Sequence, residues 1–386
     1  MHPRAKICGI GAVTSYGWGA SQLWSGLLSG RSAARYLPGY GAAESDPGWV
    51  ATIPEGGGES DVGSLFTRAM RAAAREAILD AGERGWAPGR RVGVVHGSAL
   101  GDVGETDRFY REFDGHFAQR PRWLRLMEST PITKIMQEWD FHGPVMKVGA
   151  MCGTGNAAII TAKMWLDSGY ADDVVVITTD LSATRPIVRQ FVDLDVAIVD
   201  TEPLKACRPF QAGSRGFTFA EGAVAMVLSS HAQKPYAEVL GGAMTNDAFH
   251  AISLEPTGMQ LQTAVIDALD RADVEADAVR YVNAHGPGTR QCDQAEAEML
   301  EAIFPASTQI YSVKPLVGHC QSSAATIEVA AACLAWKKNW IPAPVPVAEG
   351  HGQLLPGPEI PADGLVVKTS LGMGGQNSAI VLAASE

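Results

Sequence analysis

One cysteine and two histidines in this 386-residue chain stand in settings that favour covalent chemistry. Cys152 lies in Gly149-Ala150-Met151-Cys152-Gly153-Thr154-Gly155-Asn156, between the extended Met146-Lys147-Val148 and a helical segment from Ala157 to Leu166. A strand that turns sharply into a helix sets the thiol at a helix N-terminus. There, unpaired backbone N–H groups and the helix dipole favour the thiolate. His285 follows in Asn283-Ala284-His285-Gly286-Pro287-Gly288-Thr289, and His319 in Lys314-Pro315-Leu316-Val317-Gly318-His319. A single buried cysteine is usually inert core. One cysteine with two histidines on separate tight turns, and Lys314 close by, points instead to a thiol nucleophile with imidazole partners.

The elements that must carry these groups alternate short β-branched runs with longer amphipathic ones, the pattern of an α/β fold. Residues 92–97, 174–178 and 223–228 read as buried strands; 69–79, 157–166, 261–271 and 324–336 read as helices. A second succession of strand and helix begins at Tyr236-Ala237-Glu238-Val239-Leu240. In it the helix led by His319 corresponds in order to the helix led by Cys152. The Pro/Gly-rich stretch from Pro342 to Pro361 reads as an ordered surface connection before the last strands.

A hydrophobic content of 46% with 19% charged residues indicates a well-buried globular protein. The net charge of -11 argues against nucleic-acid binding, which needs a basic face. Two basic groups stand out, Arg68, Arg71 and Arg75 at helical spacing and Arg120, Arg122 and Arg125; a solvated helix face is the preferred reading of both. The six cysteines form no CxxC pair and no framework spacing, which fits reduced thiols and no metal site. No apolar run approaches the ~18 residues of a membrane span, and the first residues lack a signal-peptide pattern. A cytoplasmic protein without membrane attachment is expected.

The motifs, taken in order, resemble those of the β-ketoacyl synthases. Ile7-Cys8-Gly9-Ile10-Gly11 and Leu27-Leu28-Ser29-Gly30-Arg31 resemble the family's opening strand and helix, and Cys152-Gly153-Thr154-Gly155 stands where the family has its nucleophile. Cys207-Arg208-Pro209-Phe210, Tyr281-Val282-Asn283-Ala284-His285-Gly286, Lys314 with Gly318-His319, and Gly372-Met373-Gly374-Gly375-Gln376-Asn377 follow in the family's order. The resemblance implies an α/β thiolase-like fold of two duplicated αβαβα halves forming a five-layered core. Residues 1–232 would be the half carrying the nucleophile and 233–386 the half carrying both histidines.

The same resemblance assigns roles. Cys152 would take an acyl chain, and His285 and His319 would bind the enolate oxygen of a decarboxylating malonyl unit. The N–H groups of Cys152 and Met373 would bind the oxyanion of the final attack. Lys314 would lie behind the histidines, paired with Glu328 and orienting His319. Asp293 and Glu296 match polar supporting positions, and His250 a wall histidine. Thr289 would contact the pantetheine arm, whereas Pro287 replaces a hydroxyl-bearing threonine there. Met373 and Gln376 replace an aromatic gate and a threonine; Pro287 and Met373 together would broaden the accepted acyl chains.

The expected activity is therefore decarboxylative Claisen condensation by a discrete β-ketoacyl synthase of fatty-acid or polyketide assembly. No cofactor would be bound, since substrates ride on the phosphopantetheine of an acyl carrier protein. The resemblance also implies a homodimer or a heterodimer with a second ketosynthase-like subunit. Two alternatives use the same fold: acyl transfer from Cys152 without condensation, and a tunnel-shaping, chain-length partner subunit.

Overall fold

The computed structural model describes residues 5–43, 45–57, 63–113, 123–124 and 126–385. The opening strand Ala5–Thr14 explains much of the architecture. Its glycines at 9 and 11 leave room for the alanine-rich helix Leu65–Glu83: a Cβ at Gly9 would stand 2.1 Å from the carbonyl oxygen of Ala77. That helix buries Ala69, Met70, Ala73, Ala74, Ala77 and Ala81, an apolar stripe at helical spacing. Its first turn is capped by Ser64, whose hydroxyl accepts from the Thr67 N–H.

The main sheet has eleven strands among the described residues. Ten follow in the order Gln309–Tyr311, Val279–Asn283, Leu365–Gly372, Gln376–Ala384, Ala237–Asn246, Ala5–Thr14, Gly222–Ser229, Asp173–Asp180, Val92–Gly97 and Val145–Val148. Strands from before residue 230 lie on one side of this order and later strands on the other. The two sides are joined edge to edge, because Ala5–Ile7 pairs antiparallel with Ala237–Val239.

Helices Thr154–Asp167 and Ala324–Lys338 pack against each other as the central layer, while Leu65–Glu83 and Met259–Ala272 cover the outer faces. This is the layering αβαβα. Every residue from Ala324 to Ala335 is buried, as an inner-layer helix requires. Gly155 permits the central contact, since a Cβ there would stand 2.7 Å from the Thr326 nitrogen. The predicted helices extend a few residues beyond their expected ends, where caps replace apolar periodicity. Residues 342–361 form irregular structure tied down by bridges from Ile341 to Glu359 and from Ile310 to Leu354. No helix among the described residues is long and apolar enough to cross a membrane.

Candidate active site

The strand Val145–Val148 leads to a sharp turn at Met151, whose φ of 48° is left-handed. A 3-10 turn, Met151–Gly153, then carries Cys152 into the helix Thr154–Asp167. The same local geometry recurs at Gln321, with φ of 44°, the turn Gln321–Ser323 and the helix Ala324–Lys338. The position matching Cys152 in that second turn is Ser322, three residues beyond His319. Thr154 ties the first turn together, donating to the Met151 carbonyl at 2.6 Å and accepting from the Ala150 N–H at 2.8 Å. Ser370 donates to the Cys152 carbonyl at 2.9 Å, joining the turn to the strand Leu365–Gly372.

Cys152, His285 and His319 line one cavity of about 340 Å³, together with Phe217, Pro287, Thr289 and Met373. The imidazole centroids are 5.3 Å apart with planes at 78°, and Phe217 stacks edge-on against His319 at 4.6 Å. His319 Nδ1 accepts the Gln321 N–H at 3.2 Å, so its proton is carried on Nε2. Burial, with Lys314 and Lys368 nearby, holds both histidines well below the usual imidazole range. Both rings are neutral, and a neutral imidazole can present an N–H without a net charge.

The thiol departs from the sequence expectation. Burial pushes Cys152 up to about 12, against the pull of the Lys314 charge and of the Met373 and Cys152 N–H groups. Asp180, close by, pushes the same way as burial. The helix end alone would favour a thiolate, but loss of hydration costs an anion more than these donors return. Cys152 Sγ instead lies 3.7 Å from Gln321 Oε1, placed to donate its proton there. The resting thiol should therefore alkylate slowly, its rate with iodoacetamide rising about tenfold per pH unit between about pH 7 and 10. Peptide mapping of the Cys152 adduct measures this, and a plateau below about pH 8 would contradict the raised thiol.

Lys314 is fully buried behind the cavity, its ammonium 2.5 Å from Glu328 Oε1. It also donates to the carbonyl of His285, so it holds the His285 backbone and not His319 as the resemblance implied. Glu296 accepts from the N–H groups of His285 at 2.7 Å and Gly286 at 2.6 Å. Asp293 accepts from Phe210 at 3.0 Å and Gly288 at 3.1 Å. These two carboxylates fix the histidine loop from below. Burial raises both, Asp293 to about 7.

Thr289 and Pro287 line the cavity, but Gln376 does not; it opens the strand Gln376–Ala384 beyond the turn that carries Met373. His250 is exposed and absent from the lining; its Nδ1 accepts from Ile252 and Ser253, steadying a turn whose residues 252–254 form part of the wall. Arg68 pairs with Glu55 in the preceding loop, and Arg71 and Arg75 both pair with Glu138 on the helix Ser129–Trp139, so this basic group braces its helix against its neighbours. Arg120, Arg122 and Arg125 lie outside the described residues. Among the described residues, no group of three or more His, Cys, Asp or Glu is arranged to hold a metal.

Sequence reasoning passed over Lys368, Gln321 and Asp180. A lysine inside the apolar run Leu365-Val366-Val367-Lys368 was a legible signal, because an unpaired charge is costly in a buried strand.

The model of the beta-ketoacyl synthase N-terminal domain matches residues 4–234, and that of the C-terminal domain residues 236–348. The tetracenomycin polyketide synthase ketoacyl synthase alpha subunit of Streptomyces glaucescens is 31% identical, over 98% of this chain and 97% of its own. The 3-oxoacyl-(acyl-carrier-protein) synthase 2 of Coxiella burnetii is 27% identical over 98% of both chains. Among solved structures, a beta-ketoacyl synthase from Burkholderia phymatum STM815 superposes with a TM-score of 0.87 at 24% identity, covering both chains fully. A ketosynthase solved with its type II acyl-carrier protein and a hexaketide gives 0.87 at 22% identity, again over the whole of both chains.

Proposed function

The chain belongs to the β-ketoacyl synthase family, and from that premise we propose that it is a condensing enzyme of type II polyketide or fatty-acid assembly. Residues 1–232 would supply the nucleophile and 233–386 the two histidines. The observation that carries this reading is the cavity in which Cys152, His285 and His319 meet.

In the first step the thiol of Cys152 attacks a carrier thioester. The Cys152 S–H bond breaks, its proton passes to the departing pantetheine sulfur, and a new thioester forms on Cys152. The proton leaves during the attack because burial pushes the thiol up to about 12, so that it is protonated at rest. In the second step a malonyl-type thioester enters and its carboxylate leaves as CO2. The electron pair collects on the enolate oxygen, to which the two imidazole N–H groups can donate. In the third step the enolate carbon attacks the acyl carbonyl. Oxyanion charge falls on the N–H groups of Cys152 and Met373, the C–S bond breaks, and the thiolate takes up a proton.

The relatives suggest the partners. One solved neighbour is in complex with an acyl-carrier protein, and another is a ketosynthase/chain length factor. We take an acyl carrier protein as the substrate donor here and a second ketosynthase-like subunit, identical or not, as the structural partner. An edge strand supports the second subunit: Val145–Val148 ends the sheet, with Val145 and Met146 exposed on it. Unpaired strand edges with apolar side chains are ordinarily covered.

The test is intact-mass measurement after adding an acyl carrier, then a malonyl carrier. The wild type should gain the acyl mass and lose it as β-ketoacyl product. His285→Ala and His319→Ala should still acylate but should lose condensation by about 10²-fold or more, because the enolate donors are gone. Equal loss of both steps in both variants would contradict this division of labour. An enzyme that only transfers acyl groups would never release CO2 from the malonyl carrier.

A further inference from the structure

Lys368 is a second fully buried lysine, and none of the three steps above uses it. It lies on the strand Leu365–Gly372, in parallel register with Asn283, two residues before His285. An ammonium taken out of water costs several kcal/mol unless oxygens replace its hydration. Lys368 Nζ has three protein oxygens in that role: Glu328 Oε2 at 2.7 Å, the Ala284 carbonyl at 3.1 Å and the Thr369 carbonyl at 2.5 Å.

The two oxygens of Glu328 are thus divided, Oε1 to Lys314 and Oε2 to Lys368. The lysines continue to consecutive carbonyls, Lys368 to that of Ala284 and Lys314 to that of His285. On the other side Glu296 takes the N–H groups of His285 and Gly286. Every backbone polar group from the Ala284 carbonyl to the Gly286 N–H therefore meets a charged side chain. The peptide that carries the His285 ring is clamped at both ends by ions of opposite sign.

We propose that Lys368 is a positioning residue whose ammonium acts as a tethered monovalent cation, closing Glu328 onto the Ala284 carbonyl and so fixing the His285 ring in the cavity. The proposal rests on the reading of His285 as an enolate donor. Lys314, Glu328, Glu296 and the two catalytic histidines are the charged or titratable groups around this ammonium. Its charge also opposes protonation of both imidazoles. Removing it should loosen the ring, while the acylation turn around Cys152, built on separate contacts, stays in place.

Lys368→Met should acylate Cys152 as the wild type does, yet release CO2 from malonyl carrier about 10²-fold more slowly, the scale of a misplaced catalytic group. Lys368→Ser leaves space beside the same oxygens. In tetramethylammonium chloride it should be as impaired as Lys368→Met. Exchange for potassium chloride at equal ionic strength of about 0.1 M should restore at least roughly tenfold. Potassium should also raise the melting temperature of Lys368→Ser and leave that of the wild type unchanged. That last measurement needs no activity, so it decides the cation cage even if the wild type proves not to decarboxylate or Lys368→Met does not fold. Wild-type CO2 release by Lys368→Met, or a Lys368→Ser protein indifferent to potassium in melting and in rate, would overturn the proposal.

Discussion

Replacing Cys152 with alanine is expected to leave a folded protein that gains no acyl mass from a charged carrier. On the proposed mechanism the thioester forms on this sulfur: the Cys152 and Met373 N–H groups interact with it and it lines the cavity. The turn itself does not depend on it. Its hydrogen bonds run through Thr154, Ser370 and the backbone of Ala150 and Gly153. Gln321 Oε1 loses a weak sulfur donor at 3.7 Å, and the Cys152 and Met373 N–H groups lose the sulfur they face. The stability cost should be about 1 kcal/mol or less, since the removed atom faces a cavity rather than packed core. Intact-mass spectra and urea denaturation measure the two halves of the claim. Acyl mass on the alanine variant would remove Cys152 as nucleophile.

Glu328→Gln is expected to produce the largest loss of stability, about 3–5 kcal/mol at neutral pH, because it leaves two buried ammonium groups with no anion between them. Lys368 shows the sign of the pH dependence. Burial already lowers it to about 8, against the upward pull of Glu328. Without that carboxylate its proton should leave nearer neutrality, well below the lysine value of the unfolded chain. From there up to about pH 10 the unfolded chain then binds more protons than the folded one, so stability rises with pH. The deficit against wild type should therefore be widest near pH 7 and shrink toward about pH 9.5, as urea midpoints at the two values would show. Equal midpoints at pH 7 would mean that the lysines find other anions. Activity should fall as well, since the two lysines that hold the Ala284 and His285 carbonyls lose the carboxylate that places them.

Local pattern carried a large part of this architecture. The strand at 92–97 and the helices around Ala157–Leu166 and Ala324–Trp336 were legible because burial on one face, or on all faces, is written as apolar periodicity. Helix ends were less legible, because a cap such as Ser64 is a single polar residue that resembles any loop serine. The edge-to-edge joining of the two sides of the sheet left no local trace either, since the pairing of Ala5–Ile7 with Ala237–Val239 spans most of the chain.

The sequence by itself determined the turn at Cys152, the two histidine loops and the order of motifs that places the chain among the β-ketoacyl synthases. Each is a run of neighbouring residues whose glycines and apolar flanks constrain the backbone directly. Only the tertiary structure decided which charges meet and what water they lose. Lys314 reaches the His285 carbonyl across 29 residues, and Cys152 meets Gln321 across 169. Whether Cys152 rests as thiol or thiolate, and whether Lys368 is stranded or clamped between oxygens, depends on desolvation weighed against such distant partners. That balance is set by packing in three dimensions and has no period in the sequence.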